Sequence, residues 1–336
     1  MATRRKVAEA AGVSMRTVSN VVNGFVHVSD STRARVLQVI QELDYRPSEL
    51  ARSLKAGRSG LVGLVLPELD TPYFAELTRA FVEEGKRYGL TVVIDQTDGN
   101  REHEQHFIDR TYEGALFDAL VISPLGITPE DVVDVGSDRP LVFLGETAFP
   151  RFDHVMIDNR AAAQEAVAHL ALSGRRRIAA IGAEETPHAA GNLRLAGYLD
   201  ALRECGLPED HSLVERVSSF RRASGAQAMA RLLERPDPPD AVFCFSDPLA
   251  LGALRTLLTH GLRVPEDIAV VGFDDVEDGQ FSVPSLTSVS PDKRFIAATA
   301  LASLSAKLNG TATEGTQTIA PHVLRVRESS GGRQLP

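Results

Sequence analysis

The sequence predicts a small all-α helix-turn-helix head followed by an α/β body of two doubly wound parallel-sheet lobes. Apolar residues recur at helical spacing as far as Tyr45, whereas from Leu61 short β-branched runs alternate with helical stretches. That alternation restarts near Asp158, and its strands outnumber one comfortable sheet. Charge divides the chain at the same place. Residues 1–60 hold ten Lys and Arg against five Asp and Glu, a net of +5, while the whole 336-residue chain carries −9, which leaves −14 on the body. A basic end gains from counterion release on DNA, and an acidic body discourages indiscriminate adhesion. A solvated charged tail is the plain alternative, but these cations sit within helical periodicity rather than in a run.

The head reads element by element. In Val7–Gly24 two short helices meet at Gly12, which supplies the tight turn. Ser14 is suited to cap the second helix, and Val18, Val21 and Val22 fall at i, i+3, i+4 on its inner face. Met15, Arg16, Ser19 and Asn20 are left on the opposite face, where a recognition helix presents its first turns to the major groove. Ser29–Thr32 offers caps for a third helix with a stripe of Val36, Leu37, Ile40 and Leu43. Pro47 suits the start and Gly57 the stop of a further helix that carries Leu50 and Leu54 at i, i+4. So short a helix does not persist alone in water, so it needs a partner chain, DNA or both; otherwise the segment is a plain linker.

The run VAEAAGVSMRTVSNVVNG, followed by VSDSTRARV, ELDYRP and LARSL, resembles the DNA-binding head and hinge helix of the lac-repressor-type (LacI/GalR) regulators, and the resemblance continues to about residue 328. It implies that Leu54 is an apolar wedge pushed into the central base step by both chains of a homodimer. It also implies that Met15, Arg16 and Asn20 read bases: Arg16 forks onto guanine, Asn20 pairs with adenine, and Met15 meets a thymine methyl. It further implies that Ser14, Thr17 and Ser19 hold phosphates and that Arg4 and Lys55 complete the DNA contacts. Asn20 also reads as an ordinary surface residue, and Met15 as core. Lys6 departs from the family, which usually has an acidic residue there.

The family body resembles periplasmic sugar-binding proteins, with three crossovers between lobes, near Asp158, near Ser288–Ser290 and near residue 320. The expected boundaries are a head at 1–46, a hinge helix and linker at 47–60, a body at 61–328 and a loose Gly- and Ser-rich tail at 329–336. Lobe one takes about 61–157 plus 290–320, and lobe two about 158–289 plus 321–328.

Ligands bind such sheets beyond the strand carboxyl ends, so the effector candidates sit at strand-to-loop handovers. Asp70, Tyr73 and Phe74 follow the first strand, and the two rings are a stacking face or, equally by spacing, helix core. Asp247 and Asp274 each end a strand and are placed to accept bonds from vicinal hydroxyls; Asp247 is also a candidate helix cap. Arg194 and Phe220 match a pocket arginine and an aromatic wall of the family, although Arg194 alone also reads as a surface helix residue. Glu146 and Asp158 are rim candidates. His188 and Ala190 stand where the purine-binding member has a cation and a small hydroxyl residue, which favours a sugar or sugar derivative.

Other chemistry finds little footing. His103 and His106 lie beside Glu102 and Glu104 on a charged helix, a solvated face rather than a zinc site. The sequence holds no His-Glu-x-x-His pattern, phosphate loop or Gly-x-Ser-x-Gly elbow, so no metal, cofactor or enzymatic role is expected. Cys205 and Cys244 are its only cysteines, no apolar run spans a membrane, and Met1–Lys6 is no secretory leader, which together point to the cytoplasm. The reading is a dimeric repressor of pseudo-palindromic operator DNA, switched by a carbohydrate effector held between the lobes. A transport solute-binding protein, or an enzyme using Asp247 and Asp274, are the rivals.

Overall fold

The computed structural model describes residues 3–22, 25, 27–45, 58–112, 117–184, 190–311 and 314–331. The chain divides into two compact units, Met1–Gly60 and Leu61–Pro336.

The first unit packs α1 (Arg4–Ala11), α2 (Met15–Val22) and α3 (Asp30–Glu42). Thr3 caps α1 by accepting the Lys6 N–H at 3.4 Å, so the departure at Lys6 leaves this cap intact. Gly12 ends α1 at φ 62°, a left-handed conformation that glycine adopts without a Cβ penalty. Ser14 Oγ accepts the Thr17 N–H at 3.1 Å, and Ser29 Oγ accepts the Thr32 N–H at 3.4 Å, which satisfies donors at the starts of α2 and α3. Val7, Ala8, Ala11, Val18, Val21, Val36, Val39 and Tyr45 form the core. The α3 stripe differs from the sequence expectation. Leu37 and Leu43 are exposed, and Val39 takes the inward place, because Val36, Val39 and Ile40 keep the i, i+3, i+4 spacing that Leu37 breaks. The hinge segment with Leu54 and Lys55 lies outside the described residues.

The second unit is built on two six-stranded sheets. In the first, β1 (Leu61–Leu66), β2 (Thr91–Gln96), β3 (Ala119–Ile122), β4 (Leu141–Leu144), β5 (Asp153–Ile157) and β11 (Gln317–Ala320) run in the order β11-β5-β4-β3-β1-β2. In the second, β6 (Ile178–Ala183), β7 (Val214–Arg216), β8 (Ala241–Cys244), β9 (Ala269–Phe273), β10 (Thr287–Pro291) and β12 (His322–Arg325) run as β12-β10-β9-β8-β6-β7. All pairings are parallel except β10 with β12. β1, β3, β4, β6, β8 and β9 are almost wholly buried, as near-continuous Val, Ile, Leu and Ala runs require when helices cover both faces. The helices are α4 (Pro72–Gly85), α5 (Arg101–Tyr112), α6 (Asn159–Leu172), α7 (Ala190–Glu204), α8 (Arg222–Leu233), α9 (Asp247–Thr259), the short α10 (Glu277–Gln280) and α11 (Lys293–Leu308).

The chain passes from the first sheet to the second after Ile157, returns after Pro291 to place α11 against α4 and β5, and passes over again between Ala320 and His322. Each sheet has its own core, so the two lobes are separate layers joined by three strands of chain. A buried ion pair secures the returning helix: Lys307 Nζ donates to the Ser137 carbonyl at 2.7 Å and lies 3.5 Å from Asp153 Oδ2. The tail expectation is corrected at its start. Glu328–Ser330 forms a 3₁₀ turn in which Ser329 is fully buried and donates to the Val270 carbonyl at 2.6 Å, and Ser330 reaches Thr287 Oγ1 at 2.7 Å. Small hydroxyl residues here satisfy the backbone of buried strands rather than solvate a loose end. Residues 332–336 lie outside the described residues.

Candidate functional site

Two surfaces carry chemistry. On the head, α2 buries Val18 and Val21 and turns its opposite side outward. Met15 is 55% exposed, Ser14 and Arg16 are exposed, and Thr17, Ser19 and Asn20 are half-buried. The Ser14 and Thr17 hydroxyls sit 2.9 Å apart, so these two are tied to each other at the helix start. Arg4, at the first position of α1, is half-buried.

The second surface lies where the lobes meet at the strand carboxyl ends. Its centre is Arg194 on α7, only 5% exposed. The guanidinium lies 3.6 Å from the Phe273 ring centroid, donates through Nε to Asn159 Oδ1 at 2.7 Å, donates through Nη1 to the Phe245 carbonyl, and places Nη2 4.0 Å from Asp274 Oδ1. Asn159, the first residue of α6, passes the contact on by donating to Glu146 Oε1 of lobe one at 3.0 Å. One polar chain therefore runs Glu146–Asn159–Arg194–Asp274 through both lobes. Behind Glu146, buried His154 donates through Nε2 to the Gly145 carbonyl at 2.8 Å and holds that turn, and burial pulls its imidazole below the usual range.

The electrostatics of this region are those of shared burial. Asp274 is pushed up to about 6, because burial outweighs the opposing pull of Arg194 and Lys293. Burial also raises the Glu184 carboxyl at the end of β6, against a 3.1 Å bond from the Gly191 N–H. Tyr73, at the start of α4, has its hydroxyl pushed up by burial and by the nearby Asp274 and Glu146 carboxylates. Tyr73, Glu184 and Asp274 thus each feel the charges of Glu146 and Arg194. Phe74 packs edge-on against Tyr73 with 5.2 Å between centroids, and both rings also cover the lobe-one core.

Other candidates are placed differently. Asp70 is two-thirds exposed and pairs with Arg221 of lobe two at 2.5 Å, and Glu68 joins at 3.1 Å; this is an ion pair between lobes at the mouth, not a buried ligand. Asp158 caps α6 by accepting the Ala161 N–H at 3.0 Å. Phe220 is half-buried against the lobe-two core. Asp247 is corrected on both counts. The cap of α9 is Ser246, and Asp247 is fully buried with Oδ2 accepting the Val276 N–H at 2.8 Å and Oδ1 accepting from Ser288 Oγ at 2.6 Å. Burial and the Asp274 charge push its carboxyl well above the usual range. A side chain at Gly272 would strike it at 2.1 Å, so that glycine makes room for the carboxylate. His103 and His106 are exposed, Ala190 begins α7, and His188 lies outside the described residues.

Sequence reasoning missed Asn159, His154, Glu184, Arg221, Glu76 and Lys293. Asn159 was legible as the neighbour of Asp158 at a helix start; Arg221 meets the Asp70 and Glu68 carboxylates across the lobes, and the others act on backbone groups that only the fold brings near.

A small helical head and a two-lobed α/β body with a polar network between its lobes define a two-unit binding protein of the regulatory kind. The bacterial lacI-family regulatory profile matches residues 4–48, and the periplasmic binding protein-like domain profile matches residues 167–330. Catabolite control protein A of Priestia megaterium is 33% identical over 96% of this chain and 98% of its own length. The transcriptional repressor CytR of Escherichia coli K12 is 34% identical over 92% and 90%. Among solved structures, the lac repressor dimer bound to operator and the anti-inducer ONPF superposes with a TM-score of 0.85 at 28% identity, covering 98% of this chain and 99% of that one. The regulator CelR in complex with cellobiose gives 0.71 at 32% identity, over 98% and 100%. The chain belongs to the LacI family of bacterial transcription regulators. Among the described residues no helix is long and apolar enough to cross a membrane.

Proposed function

We propose that this regulator is a homodimeric repressor that binds a pseudo-palindromic operator and is switched by a sugar or sugar derivative between its lobes. The observation that carries the reading is the polar chain Glu146–Asn159–Arg194–Asp274, which joins both lobes around Tyr73. A ligand satisfied by such a chain binds the closed arrangement better than the open one, and that difference in affinity is what shifts a population. The lac repressor, crystallised as a dimer on operator, and CelR, with cellobiose, support the dimer, the DNA and the sugar. Leu54 and Lys55 belong to this reading as the hinge contacts of each protomer, and effector-dependent order in that hinge couples the two sites.

The test has two arms. DNA from the protein's own upstream region should be retarded at nanomolar protein concentration, which neither a transport protein nor an enzyme would do. A thermal-shift panel of neutral, amino and phosphorylated sugars should contain a stabilising member, as mass action requires of a ligand for the folded state. No retardation and no stabilising sugar would remove the reading.

Arg16→Ala should weaken operator binding by about 1–3 kcal/mol and relax preference at one base pair per half-site, measured by competition between operator and single-base variants. An equal loss on operator and random DNA would show that Arg16 holds phosphate instead.

A further inference from the structure

The loop after β9 places two successive non-glycine residues at positive φ. Asp274 and Asp275 adopt φ of 107° and 48°, positions that non-glycine residues occupy only where surroundings over-determine them. Four successive N–H groups each have a different partner. Asp274 donates to the Val289 carbonyl at 2.8 Å, Asp275 to Ser288 Oγ at 3.0 Å, Val276 to Asp247 Oδ2 at 2.8 Å and Glu277 to Glu76 Oε1 at 2.9 Å. The first three partners belong to lobe two. The fourth, on α4, belongs to lobe one.

Lobe one also holds the carbonyls. Lys293 Nζ, at the start of α11, donates to the Asp274 carbonyl at 2.5 Å, to the Asp275 carbonyl at 3.3 Å and to Glu76 Oε2 at 2.8 Å. Its three protons are thereby all directed, and its side chain is only 12% exposed. Glu76 divides its two oxygens between that ammonium and the Glu277 N–H. An ammonium and a carboxylate from one lobe therefore grip both carbonyls and one amide of a strained turn in the other. On the outer side Arg327 Nη2 donates to Asp275 Oδ1 at 2.6 Å.

We propose that Lys293 and Glu76 are positioning residues for the effector site, holding Asp274 in the cleft only while the lobes are closed. Lobe opening withdraws the ammonium and the carboxylate together, and the strained turn loses its only partners from lobe one among these contacts. Closure and presentation of the Asp274 carboxylate are then one event. This rests on the cleft being the effector site, and its test needs no effector, so the two can fail separately.

The test is amide hydrogen exchange on the full chain, followed by mass spectrometry. Lys293→Met should speed exchange in a peptide spanning 274–278 by about tenfold or more, with α6 and β8 peptides unchanged. Lys293→Arg, which keeps a cation in reach, should recover much of the protection. Glu76→Ala should speed the same peptide without removing the ammonium, and it keeps the proposal testable if Lys293→Met folds poorly. Unchanged exchange at 274–278 in the variants would overturn the proposal. So would faster exchange spread evenly over both lobes, since the pair would then be a general structural tie.

Discussion

Arg194→Met should destabilise the second unit by about 3–5 kcal/mol and abolish effector binding, because it removes the cation from a buried network while leaving the anion in place. The guanidinium satisfies Asn159 Oδ1 and the Phe245 carbonyl, covers the Phe273 ring and faces Asp274. Methionine fills much of the volume but satisfies none of these acceptors. Each buried group left unpaired costs about 1–3 kcal/mol, and Asp274 is left with less compensation for its burial. Urea unfolding of the variant, followed by a signal from the second unit, measures the loss. The double variant Arg194→Met with Asp274→Asn should recover part of it, since the unpaired charge is then gone. Arg194→Lys should rescue poorly: an ammonium cannot reproduce the planar fork that meets Asn159 and Phe245 while lying flat on Phe273. A loss below about 1 kcal/mol for Arg194→Met would mean that the network is not held together by this residue.

The difficulty of reading such a network from sequence is physical. The head was legible because its rules are local. Gly12 at a left-handed turn, Ser14 and Ser29 as caps, and Val18 and Val21 on one face follow from spacing alone. The central strands were legible because burial on both faces writes continuous apolar runs. β5, β10, β11 and β12 carry no such runs: Asp153 and His154 open β5, Thr287 and Ser288 open β10, and the edge strands β11 and β12 are partly exposed. Their polar residues bond groups outside their own strands, as Asp153 does with Thr316 and Lys307. The site follows the same division. Asp274 and Arg194 are visible because each ends or lines a regular element. Asp247 is misread because its position beyond a strand resembles that of Asp274, and only the approach of Val276 and Ser288 shows it to be a support. Lys293 is illegible in principle, since two of its three partners are backbone carbonyls about twenty residues away, in a turn that no residue type announces, and the third is a carboxylate on another helix.

Asp274→Asn should remove a pH-dependent penalty of up to about 3 kcal/mol from the stability of the second unit. The folded carboxyl titrates at about 6, against about 3.9 in an unfolded chain. Its folded value is raised, so in the window from about pH 4 to about pH 6 the folded state binds the proton that the unfolded state has released. Stability contributed by this group therefore falls as pH rises through that window, then stays low above it; the sign is opposite to that of a salt-bridged surface carboxylate such as Asp267. Asparagine cannot ionise, so wild type and variant should converge near pH 4 and separate toward pH 7, with the variant the more stable. The variant keeps a residual slope from Asp247, whose carboxyl is raised by burial and, in the wild type, by Asp274 itself. Urea unfolding at half-unit steps of pH measures the difference curve. Parallel wild-type and variant curves would show that Asp274 is as well solvated folded as unfolded. The persistence of this penalty at neutral pH has a functional reading. A carboxylate kept ionised against its surroundings is a strong acceptor for ligand hydroxyls, and a ligand that satisfies it recovers part of what folding gave up. Asparagine should accordingly stabilise the empty protein while weakening the response to any sugar that the thermal-shift panel finds.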